Sequence, residues 1–337
     1  MTITELKNHM SRFAAVYKTN ETIGGRDLLY LKNGYLIANT MIASYYLNIG
    51  IDGEAILPAS EFFLMINTCD SDEFSISFEG EDTVVVCGSS KAIYPPPHGA
   101  SRQLSRVPAV PVADTTAPAD LEKGAALCKN TLHKDSLRYS NVLVTKDYML
   151  STDSYRISKY NLSGIKDFPE SMYMVWSASK VIADHPVTKY TLSEHAIVWE
   201  LEDGGILVTP RELKTFDDLI QYTTADRLGS VKLSFPKGRK PITRRIASVT
   251  KMTFSTHKAD RLVEVRFTKD KMAIRASGVK GDSITEIDVE YSGDEFVFKI
   301  NPEFLIEGLQ FADRIDITSD NYIVMCSGDG EQFVWIE

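Results

Sequence analysis

Apolar residues recur at helical spacing in three places along the chain. Leu6, Met10, Phe13 and Tyr17 occupy positions i, i+4, i+7 and i+11, and Leu121, Ala125, Cys128 and Leu132 repeat that spacing. Ile242, Ile246 and Val249 begin it a third time. Such spacing lines one face of a 3.6-residue helix and predicts three amphipathic helices, each with a core-facing stripe. After each helix the period switches to two. Leu29-Tyr-Leu-Lys32-Asn-Gly-Tyr-Leu-Ile, Val142-Leu-Val-Thr-Lys146-Asp-Tyr-Met-Leu and Val263-Glu-Val-Arg-Phe-Thr-Lys269-Asp-Lys-Met-Ala-Ile each read as a β-hairpin with a lysine at its turn. A short second helix follows at Pro58-Ala-Ser-Glu-Phe62, Ser177-Ala-Ser-Lys-Val181 and Asn301-Pro-Glu-Phe304. Alternation then returns at Phe74/Ile76/Phe78 into Val84/Val86, at Ile197/Trp199/Leu201 into Ile206/Val208, and at Ile315/Ile317 into Ile323/Met325. Each of these predicts a closing hairpin.

Four elements in the same order, three times over, make an internal repeat. The turn lysines lie 114 and 123 residues apart, and Phe62, Val181 and Phe304 lie 119 and 123 apart. Two breaks fit that period. Pro95 to Pro118 carries six of the 13 prolines and reads as an ordered edge followed by a linker. Leu228-Gly229-Ser230 through Pro236-Lys-Gly238-Arg-Lys-Pro241 is the second. Together they divide the 337 residues into 1–112, 113–232 and 233–337, each of ordinary domain size. Two helices per domain against a strand-rich remainder predict an α+β fold, with helices on one face of antiparallel sheets.

Composition adds little until the charges are sorted by element. The chain is 43% apolar and 25% charged, as globular proteins are. Its 37 basic against 46 acidic residues give −9, a balance that by itself argues against a phosphate-rich partner. The three opening helices reverse the sign. Lys7, Arg12 and Lys18 against Glu5, Lys123, Lys129 and Lys134 against Glu122, and Arg244, Arg245 and Lys251 with no acid total +7. The second helices, with Glu61, Lys180, Asp184, Glu303 and Glu307, bring all six to about +4 and leave −13 for strands and loops. Basic helices on an acidic body predict one face suited to nucleic-acid phosphates.

Other classes find little support. Met1-Thr-Ile-Thr-Glu-Leu-Lys lacks the basic-then-apolar order of an export signal, and no stretch is a membrane span, so a cytoplasmic protein with no membrane partner is expected. Cys69, Cys87, Cys128 and Cys326 are far apart and form no Cys-x-x-Cys pair, which predicts reduced structural thiols. There is no phosphate-binding Gly-rich loop, no Gly-x-Ser-x-Gly and no His-Glu-x-x-His, so no catalytic residue, metal or cofactor is expected. Asp70, Asp72 and Glu73 read as a turn between helix and strand rather than a metal site. A metal-dependent enzyme and a β-rich phage structural protein are the competing readings.

Several runs resemble the bacterial and phage sliding clamp, the beta subunit of DNA polymerase III. They are Thr22-Ile-Gly-Gly25-Arg26, His133-Lys-Asp135-Ser-Leu-Arg138-Tyr139-Ser-Asn141, Ser151-Thr152-Asp153-Ser-Tyr155-Arg156-Ile157, Ile56-Leu-Pro-Ala59-Ser-Glu-Phe-Phe63 and Asp288-Val-Glu-Tyr-Ser-Gly293, in the family's order over nearly the whole chain. The resemblance implies a head-to-tail homodimer of three-domain subunits, a six-domain ring with its helices lining the hole. Helix size agrees with a dimer. Twelve helices about 10 Å apart leave roughly 28 Å clear and six leave roughly 9 Å, against a duplex of roughly 20 Å.

By resemblance, Arg26, Lys134, Arg138, Tyr139 and Lys180 contact double-stranded DNA without reading its sequence; Arg244 and Arg245 join them on charge alone. The resemblance also implies a cleft for short peptides of the DNA polymerase and the clamp loader. Its wall would be Asp153, Tyr155, Arg156 and Ile157 with the terminal strand Val334-Trp335-Ile336. Phe216-Asp217-Asp218-Leu219-Ile220 stands where the family has Pro-Asp-Tyr-Arg-Arg, and the tail ends in Val-Trp-Ile-Glu337. A partner motif of its own is expected, as for a phage- or plasmid-encoded clamp.

Overall fold

The computed structural model describes residues 1–17, 27–40, 43–132, 140–163, 171–211, 219, 227–232, 239–251, 262–278, 281–291, 294–318, 322–327 and 332–336. The first run of elements is α1 (Ile3–Tyr17), β1 (Leu28–Lys32), β2 (Gly34–Asn39), β3 (Ser44–Ile51), β4 (Ala55–Pro58), α2 (Ala59–Thr68), β5 (Phe74–Glu79), β6 (Asp82–Cys87) and β7 (Ser90–Tyr94). After α3 (Ala100–Leu104) and β8 (Thr115–Thr116) come α4 (Leu121–Cys128), β9 (Asn141–Val144), β10 (Tyr148–Thr152), β11 (Arg156–Asn161), β12 (Met172–Val175), α5 (Trp176–Asp184), β13 (Val187–Leu192), β14 (Ala196–Leu201) and β15 (Ile206–Pro210). The last run is β16 (Arg227–Lys232), α6 (Arg239–Thr250), β17 (Val263–Thr268), β18 (Lys271–Gly278), β19 (Gly281–Asp288), β20 (Phe296–Ile300), α7 (Pro302–Phe311), β21 (Arg314–Thr318), β22 (Ile323–Ser327) and β23 (Gln332–Ile336).

Most of the predicted apolar stripe positions are buried, Met10 being half-buried and the Tyr17 side chain outside the described ones. Leu6 and Phe13 on α1, Leu121, Ala125 and Cys128 on α4, and Ile242, Ile246 and Val249 on α6 are all buried. Local chemistry fixes the helix starts. At α1, Thr2 and Glu5 form a reciprocal capping box: the Thr2 N–H donates to Glu5 Oε2 at 2.7 Å, and the Glu5 N–H to Thr2 Oγ1 at 3.2 Å. At α7, Asn301 accepts from the Glu303 N–H at 2.9 Å, with Pro302 in the first turn. The β1–β2 hairpin turns through Asn33 and Gly34, whose φ values of 52° and 81° are the two left-handed positions of a two-residue loop.

By contact the chain forms two compact units, Met1–Ala126 with Ile165–Leu213, and Leu127–Gly164 with Lys214–Glu337. In the first, an antiparallel sheet runs β4-β1-β2-β3-β15-β14-β13-β8. Its middle seam joins β3 to β15, with Tyr46 opposite Ile206 and Tyr45 opposite Leu207. A separate sheet, β5-β6-β7, belongs to the same unit. In the second unit the order β9-β10-β11-β23-β22-β21-β16 repeats the design, with β11 and β23 at the seam and Ile157 opposite Trp335. A further sheet runs β19-β18-β17-β20.

Three expectations change. Each closing element has three strands, not two: β5-β6-β7, β13-β14-β15 and β21-β22-β23. The pairs expected in the first and last are their first two strands, whereas the middle pair is β14 and β15, the second and third. The break after Leu228 is partly strand, because β16 pairs with β21 from Lys232 opposite Arg314 to Arg227 opposite Thr318. The cysteines are not all thiols, since Cys69 and Cys87 form a disulfide while buried Cys128 and Cys326 remain unpaired. Sequence spacing of 18 residues hid that pair. The end of α2 and the end of β6 bring its Cα atoms to 5.9 Å, within disulfide reach.

Candidate nucleic-acid interface and partner pocket

The sharpest concentration of positive charge among the described residues is α6. Its apolar stripe faces inward, which turns Lys240, Arg244 and Arg245 outward, all exposed, with no acid on the helix. Arg239 plays a different part: its guanidinium donates to the carbonyl of Leu309 at 3.0 Å and to that of Ala312, at the C-terminal end of α7, where unpaired carbonyls favour a cation. On α5, Lys180 is exposed with its ammonium 3.8 Å from the centre of the Trp176 ring, an intrahelical cation–π contact across one turn. Arg26, Lys134, Arg138 and Tyr139 lie outside the described residues, as do His133, Phe216-Asp217-Asp218 and Ile220.

One basic residue counted toward a charged face is internal. Arg12 on α1 is only 4% exposed and sits in a buried polar cluster. Its Nη1 lies 2.6 Å from His9 Nδ1 and 3.1 Å from the Tyr45 hydroxyl, its Nη2 lies 2.8 Å from His185 Nδ1, and it pairs with Asp203. A guanidinium can only donate, so both Nδ1 atoms accept and both imidazoles are held neutral. Burial, reinforced by Arg12, pushes the pKa of both histidines down, and burial pushes the Tyr45 hydroxyl up. The Asp203 turn approaches closely enough that a Cβ on Gly205 would collide with the Tyr45 hydroxyl. Arg12 is thus a structural cation tying α1 to α5 and the β14–β15 turn.

The second unit holds the predicted peptide-cleft residues. Asp153 caps the β10–β11 turn, accepting from the N–H groups of Tyr155 and Arg156 at 3.1 Å each, while Ser154 takes φ 75°. Arg156 is 6% exposed. Its Nε donates to Asp153 Oδ2 at 3.0 Å, its Nη2 to the Asn130 carbonyl at 2.7 Å and its Nη1 to Glu307, with the guanidinium 4.1 Å from the centre of the Phe304 ring. Leu127, Asn130, Thr131, Ser158, Glu307 and Phe311 line a small pocket around it. All three of its nitrogens are engaged, so Arg156 braces the turn against α7. Ile157 is buried in the sheet, and Tyr155 projects at 56% exposure. Val334, Trp335 and Ile336 lie on β23 and pair with β11 through the backbone.

The remaining candidates are structural. Asp72 accepts from the Thr4 N–H at 3.1 Å and Thr4 Oγ1 at 2.7 Å, which anchors the first turn of α1. Among the described residues no cluster of His, Cys, Asp and Glu could hold a metal ion, and no helix is long and apolar enough to cross a membrane. The Cys128 and Cys326 thiols are pushed up to about 12, in each case chiefly by burial, and are inert at neutral pH.

No protein-family model matches this sequence, and no curated protein matches it. Solved structures do. A DNA polymerase III beta subunit from Thermotoga maritima superposes with a TM-score of 0.79 at 16% identity, covering 100% of this chain and 97% of that one. A putative beta subunit from Eubacterium rectale gives 0.78 at 16%, with the same coverage. The Pseudomonas aeruginosa beta subunit gives 0.76 at 14%, covering 100% and 98%. Along its whole length, this chain has the fold of the DNA polymerase III beta-subunit sliding-clamp structures.

Proposed function

We propose that this protein is a DNA sliding clamp, a non-catalytic processivity factor that encircles duplex DNA as a head-to-tail homodimer and tethers a DNA polymerase. The observation that carries the reading is the repeated sheet seam. Twice within the chain, the third strand of an opening sheet, β3 or β11, is joined by the last strand of a closing sheet, β15 or β23. Among the described residues, one opening sheet and one closing sheet remain unjoined, ending in β19 and β7. Their end strands carry Ile284 at 61% exposure and Ile93 at 52%, large apolar groups on open backbone edges. Pairing β7 of one copy with β19 of another would repeat the seam and close two chains into a ring of six domains, with boundaries at 1–112, 113–232 and 233–337.

Inside such a ring, Lys180, Arg244 and Arg245, together with Arg26, Lys134, Arg138 and Tyr139, would meet phosphates and not base edges, which permits sliding. Tyr155 and the β23 residues would offer the wall for polymerase and loader peptides, with Arg156 fixing the turn that presents Tyr155. The chain would hold DNA by topology. The test is to load the protein on nicked circular plasmid and then linearise the DNA. A ring slides off the new ends; retention unchanged by linearisation refutes encirclement.

A further inference from the structure

We propose that Cys69 and Cys87 form a redox latch that sets how tightly the β7 edge holds a second copy of this chain; the inference rests on the edge-to-edge closure proposed above. Cys69 ends α2, its N–H donating to the Ile66 carbonyl at 3.4 Å. Cys87 is the last residue of β6, opposite Ser90 across the tight turn into β7. That turn rests on the segment after α2. Gly88 takes φ 58°, and a Cβ there would come within 2.7 Å of Asp70 Oδ1 and 3.1 Å of Ser71 Cβ. The same segment receives α1: the Ile3 N–H donates to the Asp72 carbonyl at 3.1 Å, and Lys7 Nζ to the Cys69 carbonyl at 3.5 Å. One short segment therefore gathers α1, α2 and the β6–β7 turn, and the disulfide is its covalent link to that turn.

β7 needs this link because, among the described residues, it is bonded on one side only, to β6. To pair with another copy it must present a fixed row of backbone groups. With the disulfide closed, the turn that begins β7 is tied to two helices. With it open, the turn loses its covalent tie and is held by its ladder bonds, its packing and the contact at Gly88, so local fraying adds an ordering cost to association.

The chemistry balances through thiol–disulfide exchange. Cys69 is half-buried and Cys87 fully buried, so an external thiolate meets Cys69 Sγ and Cys87 leaves as a thiolate that takes up a proton. A second external thiol attacks the mixed disulfide and releases Cys69. Two small thiols become one small disulfide while the latch gains two electrons and two protons; a small-molecule disulfide as oxidant drives the reverse.

The test uses the full chain in sedimentation equilibrium, after treatment with a small-molecule disulfide such as oxidised glutathione or with a reductant. The dimer dissociation constant should be at least tenfold weaker in the reduced sample. The Cys69→Ser/Cys87→Ser variant should give the reduced value in both buffers; where that variant fails to fold, reduction of the unaltered chain supplies the comparison. Equal constants in the two redox states would overturn the latch and leave ring closure standing. Monomers in both states would overturn the closure and the latch with it. Alkylation of both Cys69 and Cys87 after oxidant treatment, read by mass spectrometry, would also overturn the latch.

Discussion

Replacing Ile93 by alanine tests ring closure at its weakest assumed point, the pairing of β7 with β19. Full burial of an isoleucine side chain is worth roughly 1.5–3 kcal/mol, and about half of Ile93 remains to be covered. Truncation to alanine should therefore cost each interface about 1 kcal/mol. A head-to-tail dimer has two identical interfaces, so the loss doubles to about 2 kcal/mol, a dimer weaker by about 30-fold. Ile93→Asp adds the desolvation of a carboxylate at each interface and should give monomers at micromolar concentration. Ile284→Ala should match Ile93→Ala, because both side chains belong to the same proposed seam. Leu64 supplies the control, at 65% exposure on α2 and so on neither edge strand, and Leu64→Ala should leave association unchanged. Sedimentation equilibrium reads all four, with the unaltered dimer expected at about twice 37.7 kDa. Association indifferent to both isoleucines, or more sensitive to Leu64, refutes the seam.

Arg156→Ala should destabilise the fold by about 1.5–3 kcal/mol in urea unfolding, since it leaves Asp153 and the Asn130 carbonyl without their donor while half-exposed Glu307 can turn to water. Tyr155→Ala should stay within roughly 0.5 kcal/mol of the unaltered chain yet weaken capture of a polymerase peptide, as measured by fluorescence anisotropy. Arg244→Ala with Arg245→Ala should reduce DNA retention and lower the slope of log affinity against log salt by about 2, with the dimer intact. Stability should fall as pH drops. His9 and His185 have folded pKa values below the ordinary one, so their contribution is complete above about pH 6.5 and is lost toward their folded values. The loss runs at up to about 1.4 kcal/mol per pH unit for each histidine. Unfolding at pH 7.5 and 5.5 should show this difference, and His9→Gln with His185→Gln should flatten it.

The repeat was legible because burial imposes a period that the sequence must carry. Leu6, Phe13, Ile242, Ile246 and Val249 face the core, and no other arrangement of a helix on a sheet would keep their spacing. β7 escaped notice for the converse reason. As an end strand it buries little, and Ser90-Lys-Ala-Ile-Tyr94 contains a single large aliphatic residue that points outward. Its weak signal and its proposed role have one cause, since a strand waiting for a partner cannot display the pattern of one already covered.

Charge sorting was less reliable than apolar patterning, and Arg12 shows why. Counting it toward a basic face assumed that helix charges are solvated, whereas its counter-ion, Asp203, lies 191 residues along the chain. No local window contains both. Arg156 is a parallel case: the resemblance names it as a cleft residue, whereas the part-buried Glu307 pairing that makes it a brace comes from 151 residues away. In both units a buried arginine joins a strand or helix to an element from the next repeat along the chain. A guanidinium suits that task because its planar fork satisfies several acceptors at once, so one side chain can fix the mutual position of three elements. The positive charge of this chain therefore divides by depth. Arg12 and Arg156 lie inside, where distant acids neutralise them, while Arg244 and Arg245 sit on a helix without acids and keep a field that phosphates would feel. In the proposed ring, a net charge of −9 is compatible with an encircled duplex only if that second group, and not the total, is what the DNA would meet.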